Sequence, residues 1–378
     1  MWTSLVLFDL KVYRRGARAL VLLSLAFTSS STSRDTLAMN NEELGATARA
    51  LIAKSRGILA ADESSSTIKK RFDGIKLEST EENRRSYREM LFTASGAAQY
   101  ISGVILYDET LRQKTADGTA FPVYLAKQGM LPGIKVDMGA KPLAGFPGET
   151  ITEGLDGLRE RLAEYYKLGA KFAKWRAVID IGAGIPSAYA IEANAEALAR
   201  YAALCQEATI VPIVEPEVLM DGGHTLERCE EVTNVVLERV FEHLFAARVS
   251  LEGMILKPNM VISGNKCEKR ATAEQVAEAT VRTLKRQVPA AVPGVAFLSG
   301  GQSPAEATQH LSLMHAVGAL PWALTFSYGR ALQEDALRAW GGKSTGVSAG
   351  QSALSLRAKL NGLAAVGAYK PSMEASAP

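Results

Sequence analysis

Eight short apolar segments, rich in β-branched and aromatic residues, recur along most of the 378-residue chain. They are GILAAD (57–62), GVILYD (103–108), GIKVD (133–137), KFAKWRAV (171–178), IVPIVEPE (210–217), GMILKP (253–258), GVAFLSG (294–300) and WALTFSYG (322–329). Near-continuous apolar runs of this length are typical of parallel strands that are buried on both faces. Their ends lie roughly 30 to 45 residues apart, which leaves room for a helix after each strand. The pattern therefore predicts alternating β/α units.

The segments between these strands carry helix signals. Residues 151–168 are predicted to form a helix that ends at Gly169, with an apolar face made of Ile151, Leu155, Leu158, Leu162 and Tyr166. TAEQ (272–275) and SPAE (303–306) are capping boxes. Eight β/α units predict an α/β fold, a (β/α)8 TIM barrel in a single domain. A doubly wound open sheet is the alternative, although its G-x-G-x-x-G signature is missing.

The first 38 residues differ from the rest of the chain. They hold five basic and two acidic residues, so they carry the whole net charge of +3, and the remaining residues are formally neutral. A basic stretch, the apolar run ALVLLSLAF (19–27) and a hydroxyl-rich stretch follow one another, as in a signal or transit peptide. Because Met39 begins a plausible natural start, residues 1–38 are equally well interpreted as an overlong gene start. The expected organisation is this N-terminal extension, a barrel domain over 39–370 and a short tail over 371–378.

Charge, cysteine and histidine usage exclude several function classes. A neutral body offers no surface for nucleic acid or an anionic membrane, and no apolar run is long enough for a membrane span. The three cysteines are widely spaced, which favours a reducing compartment, and the four histidines show no metal-ligand spacing. We therefore expect no metal and no cofactor, although a carboxylate-bound Mg²⁺ is not excluded by histidine spacing. We expect a cytoplasmic location, or an organelle (plastid or mitochondrion) if residues 1–38 are a transit peptide.

Charged side chains stand where the predicted strands end. They are Asp62, Lys135, Asp137, Lys174, Arg176, Glu215, Glu217 and Lys257. Residues two apart on a strand share a face, so the pairs at 174/176 and at 215/217 each project to one side. A single charge of this kind is usually solvated or part of a structural ion pair. Burying so many unpaired charges would cost several kcal/mol per ion, so the cluster predicts a functional cavity at the C-terminal ends of the strands.

The last two strands end in loops suited to an anion. FLSGGQSP offers the backbone amides of Ser299, Gly300 and Gly301 beside a capped helix, and FSYGRAL places Gly329 and Arg330 before another helix. In barrels of this type, phosphate often binds at these two loops. A second basic group, Lys70 and Arg71 in TIKKRF, is either a solvated helix face or, with Lys135 and Arg176, a second phosphate site. This layout would suit a substrate with a phosphate at each end.

A lysine at the end of an apolar strand is a candidate amine nucleophile. Lys257 in GMILKPNM could by itself be a surface charge or a salt-bridge partner, but attack on a carbonyl requires a neutral amine. Desolvation and the neighbouring cation Lys174 would both lower its pKa from the usual value of about 10.4. Glu215 and Glu217 are candidates to move protons during carbinolamine formation and dehydration, and Asp62 could deprotonate a substrate hydroxyl.

Ten motifs together resemble class I fructose-bisphosphate aldolase. In chain order they are GILAADES, EENRR, GVILYDET, GIKVD, PLAG, FAKWR, IVPIVEPE, LKPNM, FLSGGQS and WALTFSYGRAL, spanning about residues 45 to 370. Each motif is only moderately specific, but ten in order are very specific. The resemblance implies a metal-independent lyase of glycolysis and gluconeogenesis. Such an enzyme reversibly cleaves fructose 1,6-bisphosphate into dihydroxyacetone phosphate and glyceraldehyde 3-phosphate through a Schiff base.

The resemblance also implies a role for each matching residue. Lys257 matches the Schiff-base lysine, Glu215 with Glu217 beside it matches the general acid/base, and Asp62 matches the residue acting on the C4 hydroxyl. Lys174 and Arg176 match an active-site lysine and a substrate-contacting arginine. Ser299, Gly300, Gly329 and Arg330 match the 1-phosphate site, while Ser64, Arg71 and Lys135 match residues near the 6-phosphate. The resemblance further implies a homo-oligomer, because relatives are commonly tetramers.

Two positions depart from the family pattern. Ser65 and Ser66 follow A-D-E-S where Thr-Gly is often found, so this phosphate loop is expected to differ slightly. The chain ends at Pro378, with Tyr369 upstream, whereas many members end in a tyrosine that assists proton exchange. Two other functions stay open from the residues alone. One is another Schiff-base barrel lyase, transaldolase-like or a keto-acid aldolase; the other is a non-catalytic aldolase-like scaffold.

Overall fold

The computed structural model describes residues 40–376. The predicted extension over residues 1–38 and the last two residues of the predicted tail lie outside the described residues. Within residues 40–376, no helix combines the length and the apolarity needed to cross a membrane.

Eight parallel strands close into a barrel, which confirms the predicted TIM-barrel fold. They are β1 (Gly57–Ala61), β2 (Ile101–Leu106), β3 (Leu131–Lys135), β6 (Phe172–Ile179), β7 (Val211–Val218), β8 (Ile255–Leu256), β9 (Gly294–Phe297) and β10 (Ala323–Tyr328). Each strand pairs with its neighbour along the chain, and β1 pairs with β10 to close the ring. Every predicted apolar run contributes one strand, although only two residues of 253–258 remain in β8.

Helices follow the strands and form the outer layer. They are α1 (40–51), α2 (Ser65–Asp73), α3 (Glu81–Phe92), α4 (Asp108–Arg112), α5 (Phe121–Lys127), α6 (Leu158–Lys167), α7 (Ala188–Glu207), α8 (Leu226–Ala246), α9 (Ala273–Gln287), α10 (Pro304–Met314), α11 (Arg330–Trp340) and α12 (Val347–Ala364). Both predicted capping boxes are present: Thr272 with Gln275 begins α9, and Ser303 with Glu306 begins α10. These starts were predictable because a capping box depends only on residues three apart.

The predicted helix over residues 151–168 is wrong in its first half. Residues Thr150–Thr152 form a short strand, β5, which pairs antiparallel with β4 (Ala140–Pro142), and α6 begins only at Leu158. Gly154 and Gly157 have positive φ angles of 125° and 63°, which a continuing α-helix does not allow. The buried face of α6 also differs, because Tyr165 is buried whereas Tyr166 is exposed.

The lower half of the barrel is filled by apolar side chains. Phe172, Ile213 and Ile255 belong to one buried cluster there, together with Leu44 and Leu51 of α1. Helix α1 thus covers the N-terminal end of the barrel. The Phe172 ring fits because β3 carries a glycine opposite it: a Cβ on Gly133 would lie only 2.3 Å from the ring.

Side chains alternate along β6 between the barrel interior and the helical layer. Ala173, Trp175 and Ala177 pack in the large outer cluster between strands and helices. Lys174 and Arg176 project to the other side, into a cavity at the C-terminal end of the barrel. The predicted sharing of a face by residues two apart is therefore observed at this strand.

Candidate active site

A cavity of about 720 Å³ lies at the C-terminal ends of the strands. All thirteen residues to which the resemblance gives a role line it, whereas Asp137, one of the eight strand-end charges, does not. The thirteen are Asp62, Ser64, Arg71, Lys135, Lys174, Arg176, Glu215, Glu217, Lys257, Ser299, Gly300, Gly329 and Arg330. The structure therefore brings together residues that lie as far apart in the sequence as the first and the last barrel strands.

A chain of four charged groups forms the floor of this cavity. The Lys257 Nζ lies 3.1 Å from Glu215 Oε1, and the other oxygen of that carboxylate lies 3.2 Å from Lys174 Nζ. Lys174 Nζ in turn contacts Asp62 Oδ2 at 2.7 Å. Lys257 is only 3% exposed, and its three partners are also buried. The amine of Lys257 is thus withdrawn from bulk water, with a carboxylate at hydrogen-bond distance.

The electrostatics of these four groups keep Asp62 and Glu215 ionised. Burial raises the pKa of Asp62, but Lys174, Lys257 and Lys135 outweigh burial and hold that pKa well below its usual range. Burial likewise raises the pKa of Glu215, and Lys174, Lys257 and Arg176 lower it by more. For Lys174, burial lowers the pKa of the amine, whereas Asp62 and Glu215 raise it well above its usual value. Lys174 therefore stays a cation, with carboxylates on two sides.

Lys257 and the two residues after it form hydrogen bonds to both neighbouring strands. The Lys257 amide donates to Val214 O of β7 at 2.8 Å, and Pro258 O accepts from the Leu298 amide at 3.2 Å, next to β9. Asn259 Oδ1 accepts from the Val218 amide at 3.0 Å, and its side-chain amide donates to Thr233 Oγ1 at 3.2 Å. Because β8 is so short, these bonds fix the direction in which Lys257 projects. The asparagine of LKPN therefore has a structural explanation, whereas Pro258 contributes only a backbone carbonyl, which any residue could supply.

Two further ion pairs line one wall of the cavity. Arg176 Nε contacts Glu217 Oε2, and Lys135 Nζ lies 3.2 Å from Asp137 Oδ1. The Asp137 carboxylate also accepts from the Arg176 backbone amide at 3.3 Å. Asp137 thus ties the segment after β3 to β6 and holds the Lys135 ammonium, whereas the Arg176 guanidinium is held by Glu217.

The loops after β9 and β10 form a different surface, made mainly of backbone. Gly300 and Gly301 have positive φ angles of 53° and 89°, a conformation that favours glycine. Among residues 40–376, no hydrogen bond is found from either of their amides. Helices α10 and α11 begin directly after these loops, and Arg330 has no acidic partner within the described part of the chain. Amides, helix N-termini and an unneutralised guanidinium together suit a phosphate.

Beside the loop after β10, α2 and its N-cap contribute Ser64, Lys70 and Arg71. Ser64 is the N-cap of α2, and its hydroxyl accepts from the Thr67 amide at 3.4 Å. Lys70 is exposed at the rim, while Arg71 is half-buried and contacts Glu63. One guanidinium nitrogen of Arg71 lies 3.5 Å from the position a Cβ would take on Gly329, so Arg71 also approaches the loop after β10.

Several cavity residues escaped the sequence analysis. They include Glu63, Asp221, Asn265 and Ser327. Ser327 could have been found, since it lies two residues before Gly329 on β10 and so shares its face. Glu63 follows Asp62 directly, and strand alternation argues against its facing the same cavity, so no local pattern marks it.

Tyr369 lies away from this cavity. It is buried against α10 and α12, its hydroxyl donates to Glu374 Oε1 at 2.8 Å, and its carbonyl accepts from Ser312 Oγ at 3.3 Å. Arg357 holds the same Glu374 carboxylate through two hydrogen bonds of 2.7 and 2.8 Å. Tyr369 is thus fixed in the outer layer.

The cavity as a whole carries a net positive charge. Among residues 40–376, seven basic and five acidic side chains line it, and most of them form ion pairs within the protein. An anionic substrate with more than one negative group would match this excess.

Comparison with known proteins identifies relatives over most of the chain. A family model described as fructose-bisphosphate aldolase class-I matches residues 43–378. A probable fructose-bisphosphate aldolase class 1 of Xanthomonas campestris pv. campestris is 60% identical, over 88% of this chain and 100% of that protein. Fructose-bisphosphate aldolase 4, cytosolic, of Arabidopsis thaliana is 54% identical, over 87% of this chain and 84% of that protein.

A solved structure shows the same fold. It is the fructose-bisphosphate aldolase of Plasmodium falciparum in complex with TRAP and a small-molecule inhibitor. It matches with a TM-score of 0.87 and 52% sequence identity, over 88% of this chain and 96% of that chain.

Proposed function

The chain belongs to the class I fructose-bisphosphate aldolase family, and from that premise we propose which of its residues carry out each step of the reaction. The family reaction is the reversible cleavage of fructose 1,6-bisphosphate into dihydroxyacetone phosphate and glyceraldehyde 3-phosphate by way of a Schiff base, in glycolysis. The observation that carries the residue assignment is the buried Lys257 amine, 3.1 Å from Glu215 at the floor of a cationic cavity.

Lys257 is the nucleophile in this proposal. Its ammonium form cannot attack, so it first loses a proton, and Glu215 Oε1 is an acceptor at hydrogen-bond distance. The neutral amine then adds to the C2 carbonyl of the open-chain sugar to give a carbinolamine. Loss of water from that carbinolamine leaves a protonated Schiff base.

Glu215 is the acid that assists this loss of water. In the free enzyme, Lys257 is one of the cations that lower the pKa of Glu215. When the ammonium becomes a neutral carbinolamine nitrogen, that cation disappears, and the pKa of Glu215 rises relative to the free enzyme. Glu215 can then hold the proton taken from Lys257 and return it to the departing hydroxide. Glu217 is paired with Arg176 and positions the Arg176 guanidinium in the wall of the cavity.

Asp62 removes the proton of the C4 hydroxyl. As the O–H proton moves to Asp62, a carbonyl forms at C4 and the C3–C4 bond breaks, with its electron pair drawn into the iminium to form an enamine. Lys174, 2.7 Å from Asp62 and 3.2 Å from Glu215, keeps both carboxylates in place and ionised until they accept a proton. After the aldehyde leaves, Asp62 gives up the proton that it accepted and the enamine takes up one proton at C3, which restores the iminium. Water then hydrolyses the Schiff base and frees Lys257 and the ketone phosphate.

The two ends of the cavity hold the two phosphates. Ser299, Gly300, Gly329 and Arg330 bind the 1-phosphate, because their loops offer amides, helix N-termini and an unneutralised guanidinium among the described residues. Ser64, Arg71 and Lys135 bind near the 6-phosphate, and Arg176 contacts the sugar between them. The position of Arg71 beside Gly329 brings these two groups close together at one point.

Borohydride trapping tests the assignment of Lys257. The protein is incubated with dihydroxyacetone phosphate, reduced with sodium borohydride, digested and mapped by mass spectrometry. We expect a stable adduct on the peptide containing Lys257, and no adduct in Lys257→Arg. An adduct on Lys174 instead, or activity that disappears with EDTA, would overturn the assignment.

We also propose that Tyr369 takes no part in proton exchange on the enamine. Tyr369 is held by Glu374 and Ser312 in the outer layer, and it does not line the cavity. The measurement is the rate of tritium loss from labelled dihydroxyacetone phosphate, relative to the rate of cleavage. Tyr369→Phe should leave this rate unchanged, and a slower tritium loss in that variant would contradict the proposal.

We further propose that the protein is a homo-oligomer, as the tetramers of its relatives suggest. Large apolar side chains are exposed on its surface: Phe245 is 82% exposed, Met138 64% and Tyr189 56%. Exposed groups of this kind often mark contacts between copies. Light scattering after size-exclusion chromatography should give a multiple of the 40.5 kDa chain mass. A monomer at micromolar concentration would refute this proposal.

For its cellular place, we propose a cytoplasmic enzyme whose catalytic domain spans residues 39–370, followed by a tail over 371–378. The family model begins at residue 43, beyond the basic extension of residues 1–38. If that extension is instead a transit peptide, the enzyme belongs in a plastid or a mitochondrion. Fluorescent fusions of the full chain and of a version starting at Met39 distinguish these cases. Identical diffuse cytoplasmic signals support the proposal, and organellar signal for the full chain alone contradicts it.

A further inference from the structure

Glu63 is the acid that contacts Arg71 at the edge of the active-site cavity. The carboxylate oxygen Oε1 of Glu63 contacts Arg71 Nη1 and also accepts from Gln333 Nε2 at 3.1 Å. Glu63 is only 8% exposed although it is an acid, whereas the Arg71 side chain is 21% exposed. In this pair, the buried Glu63 is thus the fixed residue, and Arg71 is the residue that reaches solvent.

Glu63 is itself held from the outer layer of the barrel. Its second oxygen, Oε2, forms an ion pair with Arg88 at 2.8 Å, and Arg88 is 2% exposed. Gln333, also buried, anchors to β1 through a 2.6 Å bond to Ala60 O, and its side-chain carbonyl accepts from Tyr87 OH at 3.0 Å. The Glu63 carboxylate is thus held from α3 by Arg88 and from α11 by Gln333, and Gln333 is itself fixed by β1.

Arg71 has a second place where its guanidinium could lie. A smaller cavity of about 250 Å³ sits between α2 and α11, behind the active site. Arg71 and Arg330 line both this outer pocket and the active-site cavity. The outer pocket also has apolar walls, from Ile75 and Leu337. A long arginine side chain that lost its acidic partner could therefore turn away from the substrate.

We propose that Glu63 is a positioning residue for the aldolase reaction, holding the Arg71 guanidinium at the active-site cavity so that it can contact a substrate phosphate. This inference rests on the phosphate role proposed for Arg71. Glu63 touches no reacting atom in this proposal, so it determines affinity for phosphorylated ligands rather than the rate of C–C bond cleavage.

The variant that tests this proposal is Glu63→Asp. Aspartate keeps a charge for the buried Arg88, which Glu63→Gln would leave uncompensated, but it is one methylene too short to reach both arginines. We expect KM for fructose 1,6-bisphosphate to rise about tenfold while kcat changes less than about twofold, as when binding alone is weakened. Glu109→Asp is the matched control, because Glu109 pairs with Arg84 at 2.6 Å from α4 and does not line the cavity. Its KM should stay at the wild-type value.

A double substitution separates positioning from general destabilisation. If Glu63 acts through Arg71, then adding Glu63→Asp to Arg71→Ala should change KM by less than about twofold beyond Arg71→Ala alone. A merely structural role would give the same KM increase in both backgrounds. A full-size effect in the Arg71→Ala background therefore overturns the proposal, as does an unchanged KM in folded Glu63→Asp.

A binding measurement that needs no activity distinguishes failure here from failure of the proposed function. Inorganic phosphate should raise the Tm of the wild-type protein, and Glu63→Asp and Arg71→Ala should each need about tenfold more phosphate for the same rise. Equal phosphate requirements in all three proteins would overturn the positioning role. Absence of cleavage and of the Lys257 adduct in the wild type would instead refute the residue assignment of the reaction, whatever the phosphate result.

Discussion

The lower and upper halves of the barrel interior are built from the same strands, but the lower half is apolar and the upper half is charged. On three adjacent strands, an apolar residue in the lower half is followed two positions later by a charged residue in the upper half. These pairs are Phe172 and Lys174, Ile213 and Glu215, and Ile255 and Lys257. The lower half stabilises the fold by burying apolar surface, at about 25 cal/mol per Å². The upper half buries ions whose desolvation offsets most of their mutual attraction, so it contributes chemistry rather than stability.

The largest test of this contrast is Lys257→Met, which removes the charge from the upper half. We expect kcat for cleavage of fructose 1,6-bisphosphate to fall by about 10⁴-fold or more, because no Schiff base can form. The Tm should fall, since the buried Glu215 carboxylate keeps only Lys174 as a partner for its charge. Steady-state kinetics and a thermal melt measure both. Residual activity above about 1% would contradict the role of this lysine.

The complementary change, Phe172→Ala, acts on the lower half. Loss of this fully buried ring should lower the free energy of unfolding by about 3 to 5 kcal/mol, because a cavity is left among side chains packed against Gly133. Cleavage per folded molecule should remain close to wild type. Val123→Ala is the control, since Val123 is 48% exposed and its loss should cost no more than about 0.5 kcal/mol. Equal losses of unfolding free energy in both variants would contradict the stabilising role of the lower half.

A smaller effect should appear in the acid dependence of stability. The pKa of Asp62 is lower in the folded protein than in the unfolded chain. Its ionised form therefore stabilises the fold above the ordinary carboxyl pKa of about 3.9, and that contribution is lost as pH falls towards the folded pKa. Asp62→Asn should flatten the fall in stability below about pH 5, by about 2 kcal/mol in total. Denaturant titrations at several pH values measure this.

The control for this pH effect is Asp73→Asn. Asp73 pairs with Lys69 on the surface at 2.9 Å, and such exposed pairs contribute at most about 1 kcal/mol. Its stability curve should therefore keep the wild-type slope. Phe172→Ala should shift the whole curve downward without changing that slope, because no titrating group is removed. A changed slope in either protein would mean that the acid dependence arises outside the upper half.

The parts of the fold that were predictable from sequence depend on local rules. Eight apolar runs predicted eight strands, and two capping boxes predicted the starts of α9 and α10. The β4–β5 hairpin was missed because its three-residue strands are too short to show a hydrophobic period. The same apolar spacing that suggested a helix from Ile151 continues across Gly154 and Gly157. Those glycines interrupt the helix through their backbone conformation, which periodicity does not register.

The candidate site was predictable as a set of residues but not as a network. Charges at strand ends, two residues apart, indicated which side chains share the cavity. The contacts between Lys174 and Asp62, and between Glu63 and Arg88, join segments that are distant or unmarked in sequence. Such contacts depend on closure of the barrel and on packing of the outer helices. The positions of Asn259 and Tyr369 were likewise decided by tertiary contacts.

The ion pairs inside the cavity have a consequence for how the enzyme responds to ionic strength. Within the described part of the chain, seven cations and five acids line the site, so an approaching sugar bisphosphate meets an excess of two positive charges there. Substrate binding is then largely an exchange of ionic partners within a shielded space, where dissolved salt screens poorly. The salt dependence of kcat/KM should accordingly reflect the small net excess and not the number of basic residues. A cell whose potassium concentration rises under osmotic stress would lose little flux through this step.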